Sequence, residues 1–130
     1  MDDIIRILVV DDHALFRQSL RRVIDSRDDM QVVADAENGR VAIEKVAEFG
    51  PDIVLMDIRM PVMGGIEATE EITARFSGVR VIALSSHSDR DYIERMRLAG
   101  ASEYLNKVCG RNELVACIQK VWSNGRRPAS

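Results

Sequence analysis

A chain of 130 residues suits one domain with one core and is too short for two ordinary ones. Hydrophobic residues make up 46% and charged residues 30%, of mixed sign with a net charge of -3, which argues against disorder, a membrane class and a basic nucleic-acid stripe. No apolar run approaches the ~20 residues of a bilayer span, and Met1-Asp2-Asp3 is acidic where a signal peptide is basic, so a cytoplasmic location is expected.

In chain order, the first apolar run, 4–10, is rich in Ile and Val without alternation and reads as a buried strand. Leu15, Phe16, Leu20, Val23 and Ile24 follow at helical spacing, the apolar stripe of a helix covering a sheet face. A second strand is predicted over 31–36, then a helix carrying Val41, Ala42, Val46 and Phe49, punctuated by Asn38-Gly39 before it and Gly50-Pro51 after it. The third strand is 53–56, and the helix after Gly65 carries Ile66, Ile72 and Phe76. The fourth strand is 80–84, with Tyr92, Ile93 and Met96 on the next helix. The fifth is 102–105, followed by a helix with Leu114, Val115, Ile118, Val121 and Trp122 that ends at Asn124-Gly125. Residues 1–124 are read as the domain and 125–130 as a tail or linker stub. Trp122 belongs either to the core or to an interface. If one continuous helix joined them, Cys109 and Cys117 would lie about 12 Å apart, beyond disulfide reach, and they are read as reduced, buried small hydrophobes.

Strict βα alternation with short connections implies an α/β doubly wound fold, a five-stranded parallel sheet covered on both faces. The favoured strand order is 2-1-3-4-5, with a ligand crevice beyond the strand ends where the order reverses, between the first and third strands. The first strand runs out in Asp11-Asp12 and the third in Asp57, so carboxylates converge on that crevice. Their mutual repulsion calls for a cation, and oxygen donors suit Mg²⁺ or Mn²⁺. Ser85 ends the fourth strand and Lys107 follows the fifth. Taken singly, Asp-Asp is a helix cap, Ser85 a turn residue and Lys107 a solvated lysine. Together they are what phosphoryl transfer to a carboxylate needs: an in-line nucleophile in Asp57, a hydroxyl donor, and positive charge on the equatorial oxygens.

The segments 7–12 (ILVVDD) and 52–61 (DIVLMDIRMP), with Gly64-Gly65, Ala83-Leu84-Ser85-Ser86 and 104–107, resemble the flavodoxin-like (βα)5 receiver domains of two-component response regulators, over nearly the whole chain. Asp12-His13, Leu15-Phe16-Arg17 and the run 64–69 are most similar to the NarL/FixJ subfamily. The resemblance implies that Asp57 accepts a phosphoryl group from a sensor histidine kinase or phosphotransfer protein. It makes Asp11, Asp12, Asp57 and the backbone carbonyl of Ile58 the metal ligands, Ser85 and Tyr104 the switch pair, and Lys107 the phosphoryl sensor. It further implies self-phosphorylation and self-dephosphorylation rather than enzymic turnover, dimerisation on phosphorylation, and transcriptional control through a separate DNA-binding domain. Arg59 and His87 stand at positions that tune phosphoryl lifetime in the family. Arg59 either reaches a phosphoryl oxygen or caps an acid, and His87 either shields the attacking water or faces solvent.

Val108 departs from the family by replacing a common proline; a cis Lys107-Val108 bond would cost ~3 kcal/mol, so trans is expected. Arg17, Arg21 and Arg22 read as a solvated helix face. Among rivals, an aspartyl phosphohydrolase needs Asp-x-Asp rather than Asp11-Asp12, and a flavin module needs a phosphate loop where this chain is acidic. A stand-alone receiver and a pseudo-receiver acting as an interaction module are the remaining alternatives.

Overall fold

The computed structural model describes residues 3–86 and 90–125. Five strands, β1 (Ile5–Val10), β2 (Met30–Ala36), β3 (Ile53–Asp57), β4 (Arg80–Ser85) and β5 (Glu103–Asn106), alternate with α1 (Ala14–Asp25), α2 (Gly39–Phe49), α3 (Gly65–Arg75), α4 (Arg90–Ala99) and α5 (Arg111–Gly125). The sheet is parallel in the order β2-β1-β3-β4-β5. Each strand lies within one residue of its expected bounds, and α5 runs through Gly125, one residue past the expected domain end. The tail, 126–130, lies outside the described residues.

The period of two along each strand divides the interior. Ile7, Val9, Ile53, Leu55, Ile82 and Leu84 face α1 and α5, where they meet Leu20, Ile24, Leu114 and Ile118. Leu8, Val10, Val54, Met56, Val81 and Ala83 face the other way, toward Val46, Ala68, Ile72 and Met96. Burying both faces explains the unbroken apolar runs, since each fully buried Ile or Leu contributes about 1.5–3 kcal/mol. Trp122 is partly buried against the first of these cores.

Local chemistry sets the helix ends. Asn38 accepts the Val41 N–H at 2.9 Å, starting α2. Gly50 closes it in the left-handed region, φ 56°, donating its N–H to the Val46 carbonyl. At the start of α1 the cap position is held by His13, whose side chain makes no capping bond.

Three expectations need correction. Leu15, assigned to the apolar stripe of α1, is 78% exposed: Phe16, Leu20, Val23 and Ile24 fill the stripe, and Leu15 falls about 100° off it. Arg17, read as part of a solvated face, is half-buried and turned toward the sheet, donating to the Asp11 carbonyl at 2.7 Å with Asp35 3.5 Å from its Nε. Cys109, read as buried like Cys117, is only partly buried, because it precedes α5 instead of lying on its inner face. Both cysteines are free, and burial pushes the Cys117 thiol up to about 11, which keeps it unreactive. The Lys107–Val108 bond is trans, as expected.

Candidate functional site

The switch point falls where β1 and β3 separate their helices to opposite sides, with Val10 beside Met56. Asp11 follows β1 and is fully buried; Asp57 ends β3 at 3% exposure. Two carboxylates this deep need a counter-charge. Lys107, one residue past β5, supplies it, its Nζ lying 2.8 Å from Asp11 Oδ2 and 3.0 Å from Asp57 Oδ1. The lysine is held from its own backbone, because its N–H donates to the Ser85 carbonyl at 2.8 Å. Asn106 braces the turn beyond by accepting the Val108 N–H at 2.9 Å.

Burial and the neighbouring Asp11 charge push the Asp57 carboxyl up to about 6, against the opposing pull of Lys107 and of the Ile58 N–H, which donates to Asp57 Oδ1 at 2.9 Å. For Lys107, burial acts to lower the ammonium's pKa, but hydrogen bonds to Asp11 and Asp57 outweigh it and the net direction is up. It therefore stays charged at neutral pH.

Oxygens of Asp11, Asp12 and Asp57, with a ring nitrogen of His13, all lie within 4.8 Å of one another. Asp11 Oδ2 and Asp12 Oδ1 are buried, and their polar neighbours are Lys107 Nζ at 2.8 Å and His13 Nδ1 at 3.2 Å. Three carboxylates against one lysine leave excess negative charge, and the donors are hard oxygens; both features fit a divalent cation. Ile58 is otherwise engaged: its carbonyl accepts the Gly65 N–H at 2.7 Å, which turns it toward α3 and leaves one lone pair for any other partner. Gly65 permits that approach, since a Cβ there would lie 2.0 Å from the Asp57 carbonyl oxygen.

The remaining residues take graded places. A cleft of about 310 Å³ over Asp57 is lined by His13, Arg59, Ser86 and Lys107. Arg59 also lies 5.6 Å from the Tyr92 ring, a cation–π contact. The Ser85 hydroxyl is buried and donates to the Leu105 carbonyl at 3.3 Å, so it is aimed at β5. Tyr104 is 51% exposed at the rim of a cavity of about 190 Å³ beside Ala83, Ile93 and Met96. His87 lies outside the described residues. Sequence reasoning had singled out neither His13 nor Arg17 for the site. Their spacing from Asp11 was the available signal, but it reads equally as a helix start.

The fold and this pocket define an α/β domain with an acidic, lysine-bridged crevice at its switch point. The chain belongs to the response regulator receiver domain family, which it matches over residues 7–119. It is 39% identical to the transcriptional regulatory protein DegU of Brevibacillus brevis over 93% of this chain and 51% of that protein. It is equally identical to the response regulator GacA of Pseudomonas protegens, over 94% and 57%. Among solved structures, a LuxR-family two-component response regulator from Aurantimonas is 35% identical, with a TM-score of 0.87, covering 94% of this chain and 87% of that one. These relatives support the NarL/FixJ grouping. The chain spans about half the length of the curated relatives it matches. The family acts as a phosphoacceptor switch, and receiver domains bind Mg²⁺ at an acidic pocket. No described helix is long and apolar enough to cross a membrane.

Proposed function

We propose that this chain is the receiver of a two-component response regulator and accepts a phosphoryl group on Asp57 from a sensor histidine kinase or phosphotransfer protein. The observation that carries the reading is the lysine bridge: Lys107 Nζ within 3.0 Å of both Asp11 and Asp57 at the ends of three strands. In the transfer, an Asp57 carboxylate oxygen forms the new bond to phosphorus. The bond from phosphorus to the donor's histidine nitrogen, or to acetate in a small acyl phosphate, breaks, and the leaving group keeps the electron pair. Lys107 is placed to neutralise an equatorial oxygen, and the Ser85 hydroxyl to donate to another after leaving Leu105. Asp11, Asp12 and Asp57 would hold Mg²⁺ or Mn²⁺, with Ile58 as the weakest candidate because Gly65 already engages its carbonyl. When bound, the cation supplies charge neutralisation for the phosphoryl oxygens.

The switch follows from the same residues. Movement of Ser85 toward the phosphoryl group frees room near β4, and Tyr104 turns from its exposed position into the cavity beside Ala83, changing the surface formed by α4, β5 and α5. Arg59 lines the cleft and, with His87, would tune the rate at which water removes the phosphoryl group. The receiver would extend through the end of α5 at Gly125, one residue beyond the expected 1–124. DNA would be reached through a separate output domain, as the name and greater length of the DegU relative suggest, with dimerisation on phosphorylation. The two free cysteines fit a reducing cytoplasm.

The test is intact mass after incubation with acetyl phosphate and Mg²⁺. The expected result is a gain of ~80 Da, one phosphoryl group, lost in Asp57→Asn and on metal removal. Folded, metal-bound protein that never gains this mass would overturn the reading.

A further inference from the structure

His13 occupies an odd position for a helix cap. Ser, Thr, Asp or Asn at that place would satisfy a free N–H of α1, whereas His13 makes no such bond. Its Nδ1 lies instead 3.1 Å from Asp11 Oδ1 and 3.2 Å from Asp12 Oδ1. The His13 backbone N–H also donates to Asp11 Oδ1 at 2.8 Å, so ring and carboxylate are fixed by one short turn. On the far side of Asp11, Arg17 holds the carbonyl at 2.7 Å.

These separations are informative. In an octahedral shell with bonds of about 2.1 Å, adjacent ligand atoms stand about 3.0 Å apart and opposite ones about 4.2 Å. The Nδ1 distances match adjacent positions, and the set of Asp11, Asp12, His13 and Asp57, within 4.8 Å, would need to close by about 0.6 Å at most to fit such a shell. The same acids carry more negative charge than their neighbours offset: Asp11 is fully buried with only Lys107 Nζ, 2.8 Å from its Oδ2, as a permanent cation, and that one ammonium also serves Asp57 at 3.0 Å. The ring is 71% exposed, so its other nitrogen is open to water while Nδ1 faces the acids.

Resting on the reading above that Asp11, Asp12 and Asp57 hold a divalent cation, we infer that His13 Nδ1 is a further ligand of that cation and biases the site toward borderline metals. Imidazole strengthens binding along the series from Mn²⁺ through Co²⁺ to Ni²⁺, whereas Mg²⁺ gains little from nitrogen and keeps its waters. The chain would therefore bind Co²⁺ more tightly than an all-oxygen pocket does, with Mg²⁺ affinity set by the carboxylates alone.

The test is calorimetric titration of the 130-residue chain with Co²⁺ and separately with Mg²⁺, for wild type, His13→Ala and His13→Ser, the serine variant restoring a helix cap. Expected is a loss of roughly tenfold or more in Co²⁺ affinity in both variants, the scale of a lost coordinating nitrogen, with Mg²⁺ affinity changed by less than about threefold. Proton NMR of the Co²⁺-loaded wild type should show a strongly shifted, non-exchangeable imidazole ring C–H resonance that His13→Ala lacks. Equal losses for both metals, or no loss for either, would overturn the inference while leaving phosphorylation of Asp57 intact. A wild type that binds neither metal would overturn both readings.

Discussion

Replacing Asp57 with Asn should make the protein more stable at neutral pH, although it removes the group on which the proposed function depends. Asp57 is almost fully buried beside Asp11, and its carboxyl is raised from 3.8 to about 6. The native state therefore binds the proton more tightly than the unfolded chain does, and between these two values stability falls as pH rises. Above pH 6 the loss is complete. A shift of about two units at 1.36 kcal/mol each gives about 3 kcal/mol. The Asn amide keeps the shape and an oxygen for the Ile58 N–H, and Lys107 keeps Asp11 at 2.8 Å. Urea unfolding in EDTA, followed by circular dichroism from pH 4 to pH 8, measures the difference. The stabilisation by Asp57→Asn should be small near pH 4, grow through pH 5 to 6 and level off near 3 kcal/mol. Added Mg²⁺ should narrow it by stabilising wild type. A difference that is flat with pH, or a variant less stable than wild type at pH 8, would show that the buried carboxylate is not strained in this way.

Val62, a β-branched residue at φ 72° and 77% exposed, should be improved by Val62→Gly; relief of the left-handed cost, less glycine's extra chain entropy, leaves about 1 kcal/mol of added stability, readable as a higher urea midpoint. Gly65→Ala should cost on the order of 2–3 kcal/mol and slow phosphorylation, because its Cβ must displace the Asp57 carbonyl; unchanged unfolding and labelling rates would contradict that packing. Leu15→Gln should change unfolding free energy by less than about 0.5 kcal/mol, since the side chain lies off the buried stripe, and a core-sized loss would restore the original assignment.

The strands were legible because burial on both faces demands unbroken Ile and Val, and that demand shows in a single sequence. Asn38 and Gly50 marked α2 because each does a job few other residues do. Leu15 misled for a physical reason: it stands about 100° round the helix from Phe16 on the side away from Leu20 and Ile24, and apolar character alone did not say where the stripe's edge falls. The acids and lysine could be placed at strand ends, but not the ring of His13, which in sequence is only the third residue of a polar turn. Nor does a valine announce a positive φ. The Ile58 carbonyl was assigned by resemblance, and its bond to Gly65 depends on how the loop folds back.

On the proposed function, two weak restraints set the ease of switching. Ser85 gives up a neutral hydroxyl-to-carbonyl bond at 3.3 Å, worth about 0.5–1.5 kcal/mol, and receives a charge-assisted bond to a phosphoryl oxygen, roughly twice as strong. Tyr104 gives up exposure of half its surface and gains apolar contact with Ala83, Ile93 and Met96. Neither exchange alone exceeds a few kcal/mol, and the chain links them through one backbone bond, from the Lys107 N–H to the Ser85 carbonyl. Lys107 thus couples the loops after β4 and β5 through its backbone while its ammonium reads the charge at Asp57. A population shift between two such states needs only a differential interaction of that size, which one phosphoryl group supplies.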